Sequence, residues 1–445
     1  MPLGWLFERF RTRAGAEAMV LRDQPVTYGQ LTQLVLEAQS LLDREGVSPG
    51  EAALVDADHS PAAVALLLAL IARRNIVVPV ASHVKADREC YMAIAEVTRS
   101  FRVLVDDSYE VHKHDRIMGH PLNLELKGQG SPGLVLFSSG STGRPKAALH
   151  NLDLLLKKYM TPRHAKCTVT FLLFDHIGGF NTLFYTLANG GCAIAPEGRD
   201  PFSLCRAIER HRAQVLPASA TFLNLLLMSE AYCQFDLSSL ELITYGTEPM
   251  PEATLRRLNA AFPRVSFLQT YGLSELGILR SKSRSSDSLW VRVGGEDYQT
   301  RVVDGILHIK AECSMLGYLN APSPFDAEGW FNTQDEVEVD GEWLRFKGRK
   351  SDIINVGGEK VYPAEVESTI LEVPSVLDAI VSKEPYPITG NIVVASVRLR
   401  EAEDPKQAIQ RIRSHCLAKL PRYKVPVKIK VVKTVGVSDR FKKQR

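Results

Sequence analysis

Up to about Ser281, short apolar runs alternate with segments whose apolar residues recur at helical spacing. Asn75–Val80 (NIVVPV), Phe101–Val105 (FRVLV) and Leu134–Phe137 predict short buried strands, and Gln30–Glu45 predicts an amphipathic helix. Ala213–Pro217 predicts a strand feeding a helix over Ala220–Met228. Ala62–Ala72 (AAVALLLALIA) is apolar on every face and lies between Pro61 and the Arg73-Arg74 pair. That pattern predicts a helix buried all round, too short to cross a bilayer. Strands and helices in alternation predict an α/β protein with largely parallel sheets.

From about Ser281 the period changes. Leu289–Val293, Arg301–Ile309 and Glu336–Phe346 alternate apolar with polar residues, with turn dipeptides at Asp304-Gly305 and Asp340-Gly341. Antiparallel hairpins in a small barrel-like sheet are expected there. Further on, a helix is expected near Pro363–Leu371, strands near Asp378–Val381 and Asn391–Val397, and a helix over Pro405–Leu420. The expected division is a large domain, 1–348, of layered α/β subdomains plus the small sheet, and a small α+β C-terminal domain, 349–445.

A chain of 445 residues exceeds what one hydrophobic core usually supports, which agrees with that division. Formal net charge is +3, from 54 basic against 51 acidic residues, so there is no electrostatic case for nucleic acid or a membrane surface. The seven cysteines are scattered and form no CxxC pair. A reducing cytoplasm is expected, since the opening MPLGWLFERFRTRAG is also too briefly apolar for a signal peptide.

Candidate chemistry is densest in Leu134–Ala148, LVLFSSGSTGRPKAA. An apolar strand runs into Ser138, Ser139, Gly140, Ser141, Thr142 and Gly143, and the loop closes on Pro145-Lys146. Glycines let backbone N–H groups approach an anion, hydroxyls add donors, and lysine adds compact positive charge. These are the parts of a triphosphate cradle. It differs from the loop of P-loop NTPases, because Lys146 follows proline instead of glycine. The string SSGSTGRPK resembles the phosphate-binding signature of the adenylate-forming superfamily, which includes AMP-forming acyl-CoA synthetases, luciferases and peptide-synthetase adenylation domains.

Further resemblances follow in the family's order. Tyr271-Gly272-Leu273-Ser274-Glu275 resembles its YGxTE motif. The resemblance implies an aromatic residue near adenine, a Ser274 hydroxyl on phosphate and Glu275 helping to hold Mg²⁺. Gly246, Thr247 and Glu248, within TYGTEP, resemble the segment lying against adenine. Asp335, in GWFNTQDEV, matches the aspartate that bonds the ribose hydroxyls, with Gln334 where the family has glycine. In GRKSDIINVGGEKVYPAEVE, Arg349 would contact the ribose, Ser351 stands at the family's hinge, and Gly357 and Gly358 would let pantetheine pass.

In this family a mobile small domain delivers a catalytic lysine from a GK-x-x-R context. In the tail SDRFKKQR that alignment selects Lys442, with Phe441 in place of glycine and Lys433 and Lys443 as competitors. LLFDHIGGFNTL resembles the acid-pocket segment of acyl-CoA synthetases, in which His176 and Gly179 match and Asp175 replaces an aromatic residue. Asp175 either holds a polar group of the substrate, or pairs with a neighbour or faces solvent. Gly178 and Gly179 either leave room for a flat or long acid or mark a tight helix approach.

The resemblance, closest to acyl- or aryl-CoA ligases, implies an ATP-dependent enzyme that makes an acyl-adenylate and pyrophosphate from a small-molecule carboxylic acid. Transfer to the thiol of CoA would follow. Loading of an acyl carrier protein, adenylation of a non-carboxylate group, and nucleotide binding without turnover are the alternatives left open. No membrane insertion is expected.

Overall fold

Two seven-stranded sheets face each other across a layer of helices in the computed structural model, which describes residues 2–82, 87–139, 144–436, 438 and 441–443, and for Ser139 the backbone alone. The helix Pro61–Ala72 occupies the middle of that layer, and all twelve of its residues are buried. Ser60 caps its first turn by accepting from the Ala63 N–H, and Pro61 stands where no N–H is needed. One cluster joins this helix to Phe180, Leu183 and Phe184 of the helix Ile177–Ala188. Ala53, Val55 and Leu134 contribute from one sheet, and Met19 and Ala193 from the other. The outer faces of the sheets bury two further clusters. These are the α/β layers expected from the alternation.

Both sheets are parallel in their centres, as Ile76–Val80 pairs with Ala52–Asp56 and Val215–Ser219 with Leu242–Gly246. Antiparallel pairing occurs at both margins of the first of these sheets and at one margin of the second. The hydrophobic pattern predicts no strand after the Ser/Gly-rich loop, yet Pro145–Asn151 returns antiparallel along Gly133–Ser139. A six-stranded antiparallel sheet follows, from Arg280–Ser283 to Trp343–Arg349, around Leu276, Val291, Leu307, Ile309 and Leu344.

The final segment builds its own core. Val376–Tyr386, Gly390–Leu399 and Lys428–Val431 form a three-stranded sheet. The helices Pro363–Leu371 and Pro405–Lys419 contribute to the same cluster, which Ala253 joins from the large part. Among the described residues no helix is long and apolar enough to cross a membrane.

Candidate active site

The antiparallel hairpin fixes one end of the site. Ser138 and Lys146 sit directly opposite each other on the two strands, and both line a cavity of about 640 Å³. Lys146 Nζ lies 5.2 Å from the centre of the Tyr318 ring, a cation–π distance. Tyr318 in turn donates to Glu275 Oε1 at 2.5 Å. The turn carrying Ser274 and Glu275 is pinned from behind: His150 Nε2 lies 2.6 Å from Ser274 O, and Met315 N donates to Glu275 O at 2.8 Å. Burial pushes the His150 pKa down to about 4, so it serves as a neutral N–H donor at physiological pH. Ser274, Glu275 and Gly272 line the same cavity. Gly140, Ser141, Thr142 and Gly143 lie outside the described residues.

Asp335 is buried at the other end. Tyr271 Oη donates to its Oδ2 at 2.6 Å, and Arg349 Nε stands 3.5 Å from Oδ1. Burial raises the Asp335 carboxyl, with the Arg349 charge opposing the shift. Thr247, Gly246, Thr333, Gln334, Arg349 and Ser351 line the cavity here, and Asp335 does not. Two residues here hold left-handed backbone, Thr247 at φ 70° and Gln334 at φ 62°. For a side chain with a Cβ that costs about 1–2 kcal/mol, a strain typical of functional sites.

Three of the residues assigned to the nucleotide do not line the cavity, Asp335 among them. Tyr271 does not line the cavity: its ring stacks on Phe346 at 4.4 Å and its hydroxyl orients Asp335. Glu248 also stands back, with Oε1 accepting from the Thr221 N–H at 2.7 Å. It satisfies the open N-terminus of the helix Ala220–Ser229, where an anion is favoured.

The C-terminal tail threads between the two parts of the chain. Phe441 packs 5.2 Å from Phe171 and 5.3 Å from Phe222, with the Arg199 guanidinium 5.1 Å away, and Ser219 Oγ donates to Phe441 O at 2.7 Å. Lys443 is buried in the small unit, donating to Ala379 O at 2.6 Å beside Glu367 at 3.2 Å and Asp378 at 3.6 Å. Lys442, held between these anchors, lines the cavity. Lys433 and Lys443 do not reach it.

His176, Gly178, Leu172, Ile177, Asn181, Thr182 and Ile278 also line the cavity. His176 Nδ1 accepts from the Gly178 N–H at 3.1 Å, capping the helix it precedes. Asp175 and Gly179 do not line the cavity. Asp175 is buried, and its charge is one of the smaller influences opposing the burial that lowers the His59 pKa. At Gly179 a Cβ would sit 1.8 Å from Leu173 O, so the glycine serves a close backbone approach. Gly357 and Gly358 are likewise distant, forming with φ of 59° and 93° the tight turn between Ile354–Val356 and Glu359–Val361.

A family model described as AMP-binding enzyme matches residues 6–319, and one described as AMP-binding enzyme C-terminal domain matches 365–439. The chain belongs to the AMP-binding enzyme family. Among its relatives is a methyl-dioxo-octahydroindenyl-propanoyl:CoA ligase of Mycobacterium tuberculosis, 31% identical over 321 residues, which are 67% of this chain and 62% of that protein. The chain thus spans 62% of the length of the first curated relative it matches. Indoleacetate–CoA ligase of Aromatoleum aromaticum is 24% identical over 96% of this chain and 93% of its own. The fold matches the anthranilate CoA ligase AuaEII with a TM-score of 0.86 at 20% identity, covering 99% of this chain and 95% of that one.

Within this AMP-binding enzyme, motif reasoning missed Tyr318, Asn181 and the anchoring use of Phe441. Tyr318 lies 43 positions after Glu275 and carries no local pattern. Phe441 read as a departure from glycine, and only the packed tail gives it a task.

Proposed function

We propose that this enzyme activates a carboxylic acid with ATP and then passes the acyl group to the thiol of CoA. The observation that carries the reading is the convergence of Ser138, Lys146, Glu275, Arg349 and Lys442 on one cavity, which Leu172, Ile177 and Ile278 also line. Hydroxyl and ammonium groups at Ser138 and Lys146 would bind phosphate oxygens, Asp335 and Arg349 the ribose, and Lys442 the reacting carboxylate and α-phosphate. Attack of a carboxylate oxygen on the α-phosphorus forms the acyl-adenylate, and the electron pair of the broken P–O bond leaves with pyrophosphate. No covalent enzyme nucleophile is required, so the chain contributes positioning and charge neutralisation.

A magnesium ion fits the donor set. Glu275 is one carboxylate in the cavity wall, and among the described residues no group of three or more acidic, histidine or cysteine side chains could cage a metal. Mg²⁺ commonly takes one or two carboxylates plus phosphate oxygens and waters, and would neutralise phosphate charge here. For the thiol step, the unit 349–445 would turn about the short helical turn Lys350–Asp352, which contains Ser351. Gly357 and Gly358 would approach the cavity only after that turn.

The defining experiment is pyrophosphate release from ATP across fatty, aryl, amino-aryl and hydroxy-aryl acids, with and without CoA, with products identified by mass. Acid-dependent release with an acyl-CoA product is expected; release that ignores every acid would reject the reading. Replacing Asp335 with Ala should raise the KM for ATP about 10–100-fold, the worth of hydrogen bonds to a charged group, with unchanged stability in Asp335→Asn as the control. Phe441→Ala removes two aromatic contacts worth about 0.5–1.5 kcal/mol each. Adenylation should slow by at most about 5–150-fold as the tail loses its seat, and stopped-flow pyrophosphate release would measure it.

A further inference from the structure

The cavity wall includes an amide oriented by a lysine, and its role in choosing substrates rests on the acid activation proposed for this site. Asn181 lies in the second turn of the helix Ile177–Ala188 and faces the cavity beside Ile177, Thr182 and Ile278. Its Oδ1 is engaged twice, by Lys158 Nζ at 2.8 Å and by Tyr159 Oη at 2.7 Å. An ammonium can only donate, so the atom facing Lys158 must be the amide oxygen. The side chain is therefore locked in one orientation, with the two N–H bonds of Nδ2 turned away from Lys158.

Lys158 is half-buried, and its Nζ also donates to Ile278 O at 2.9 Å. Among the described residues it forms no ion pair. Burial pushes its pKa down to about 8, which still leaves it mostly cationic at neutral pH. A cation on Oδ1 draws electron density from the amide and strengthens the N–H donors on its far side. The neighbouring hydroxyls do not compete for the same role: Thr182 donates to Gly178 O at 2.9 Å and Thr270 to Tyr245 O at 3.1 Å. A hydrocarbon acid seated here would strip water from Nδ2 and return no acceptor, which costs binding energy.

We propose that Asn181 selects the substrate class by donating to an acceptor oxygen (a hydroxyl, a ketone or a second carboxylate) on the part of the acid remote from the reacting carboxylate, with Lys158 as the positioning residue behind it. The preferred substrates are then compact oxygenated acids, and long plain chains are disfavoured.

The test compares matched acids by acid-dependent pyrophosphate release. Ring acids with and without a hydroxyl or acetyl group, and short chains with and without a keto or terminal carboxyl group, are assayed on the wild type, Asn181→Leu and Lys158→Met. The wild type should favour the oxygenated member of a pair by about 10–100-fold in kcat/KM, chiefly through KM. In both variants that ratio should collapse. A purely structural role would lower both acids of a pair together and keep the ratio, overturning the inference, as would a wild type with no preference. If no acid supports release although ATP binds, the activation reading falls and takes this inference with it.

Discussion

Replacing Lys442 with Ala should lower acid-dependent exchange of pyrophosphate into ATP about 10²–10³-fold, the loss seen when one preorganised donor to a developing charge is removed. The reaction brings two anions together, a carboxylate and a triphosphate, and only a cation placed between them favours that encounter. Lys442 is the tail lysine that lines the cavity. Its backbone is fixed on both sides. Lys442 N donates to Ser438 Oγ at 3.1 Å, Phe441 O accepts from Ser219, and Lys443 N donates to Glu248 Oε2 at 3.4 Å. A side chain delivered by so many contacts has little freedom to lose when the charge develops. The defect should be confined to adenylation, so that acyl-adenylate supplied directly should still yield acyl-CoA. Lys442→Arg keeps the charge but spreads it over a planar fork, and should recover part of the loss. Exchange retained in Lys442→Ala but abolished in Lys433→Ala would transfer the role to the other lysine.

Local pattern carried the fold further than it carried the site. Pro61–Ala72 and Pro363–Leu371 were legible because a proline marks the first turn and burial sets the composition of the later turns. The turns at Asp304-Gly305 and Gly341 were legible because each glycine adopts positive φ. Pro145–Asn151 was not, since a strand that starts with proline and lysine takes its identity from the partner strand. In the site, the phosphate-binding string and the tail lysine were readable as chemistry. Side-chain direction was not. Asp175 and His176 are neighbours in sequence, yet Asp175 is buried off the cavity and His176 lines it. Asn181 read as an ordinary polar residue in an apolar helix, because the two groups that orient it come from 22 and 23 positions upstream. Tyr271 carried the motif's identity but stacks on Phe346 and donates to Asp335.

The neighbouring lysine is expected to matter for stability instead of turnover chemistry. Lys443, Glu367 and Asp378 have side chains only 7%, 1% and 2% exposed, so their charges depend on one another. Removing one member of such a buried group leaves uncompensated charge and costs about 3–5 kcal/mol. Lys443→Met should therefore destabilise the unit around Val376–Tyr386 and Gly390–Leu399 by that amount, read by hydrogen exchange of those strands. The defect should depend on pH. Burial already raises the Asp378 carboxyl, against the pull of Lys443, and without the lysine that rise should grow. A carboxyl raised in the folded state holds its proton more tightly than in the unfolded chain. Its contribution is therefore full below the unfolded pKa and is lost as pH rises through the folded one. The Lys443→Met deficit should thus be largest at neutral pH and shrink as pH falls through the carboxylate range. Adding Glu367→Gln and Asp378→Asn removes the stranded charges, while their oxygens can still accept from the Val381 and Ala379 N–H groups. That triple variant should regain much of the loss at neutral pH. A deficit independent of pH and unrelieved by the amides would show that Lys443 acts by packing its stem, with the two carboxylates already neutral in the native protein.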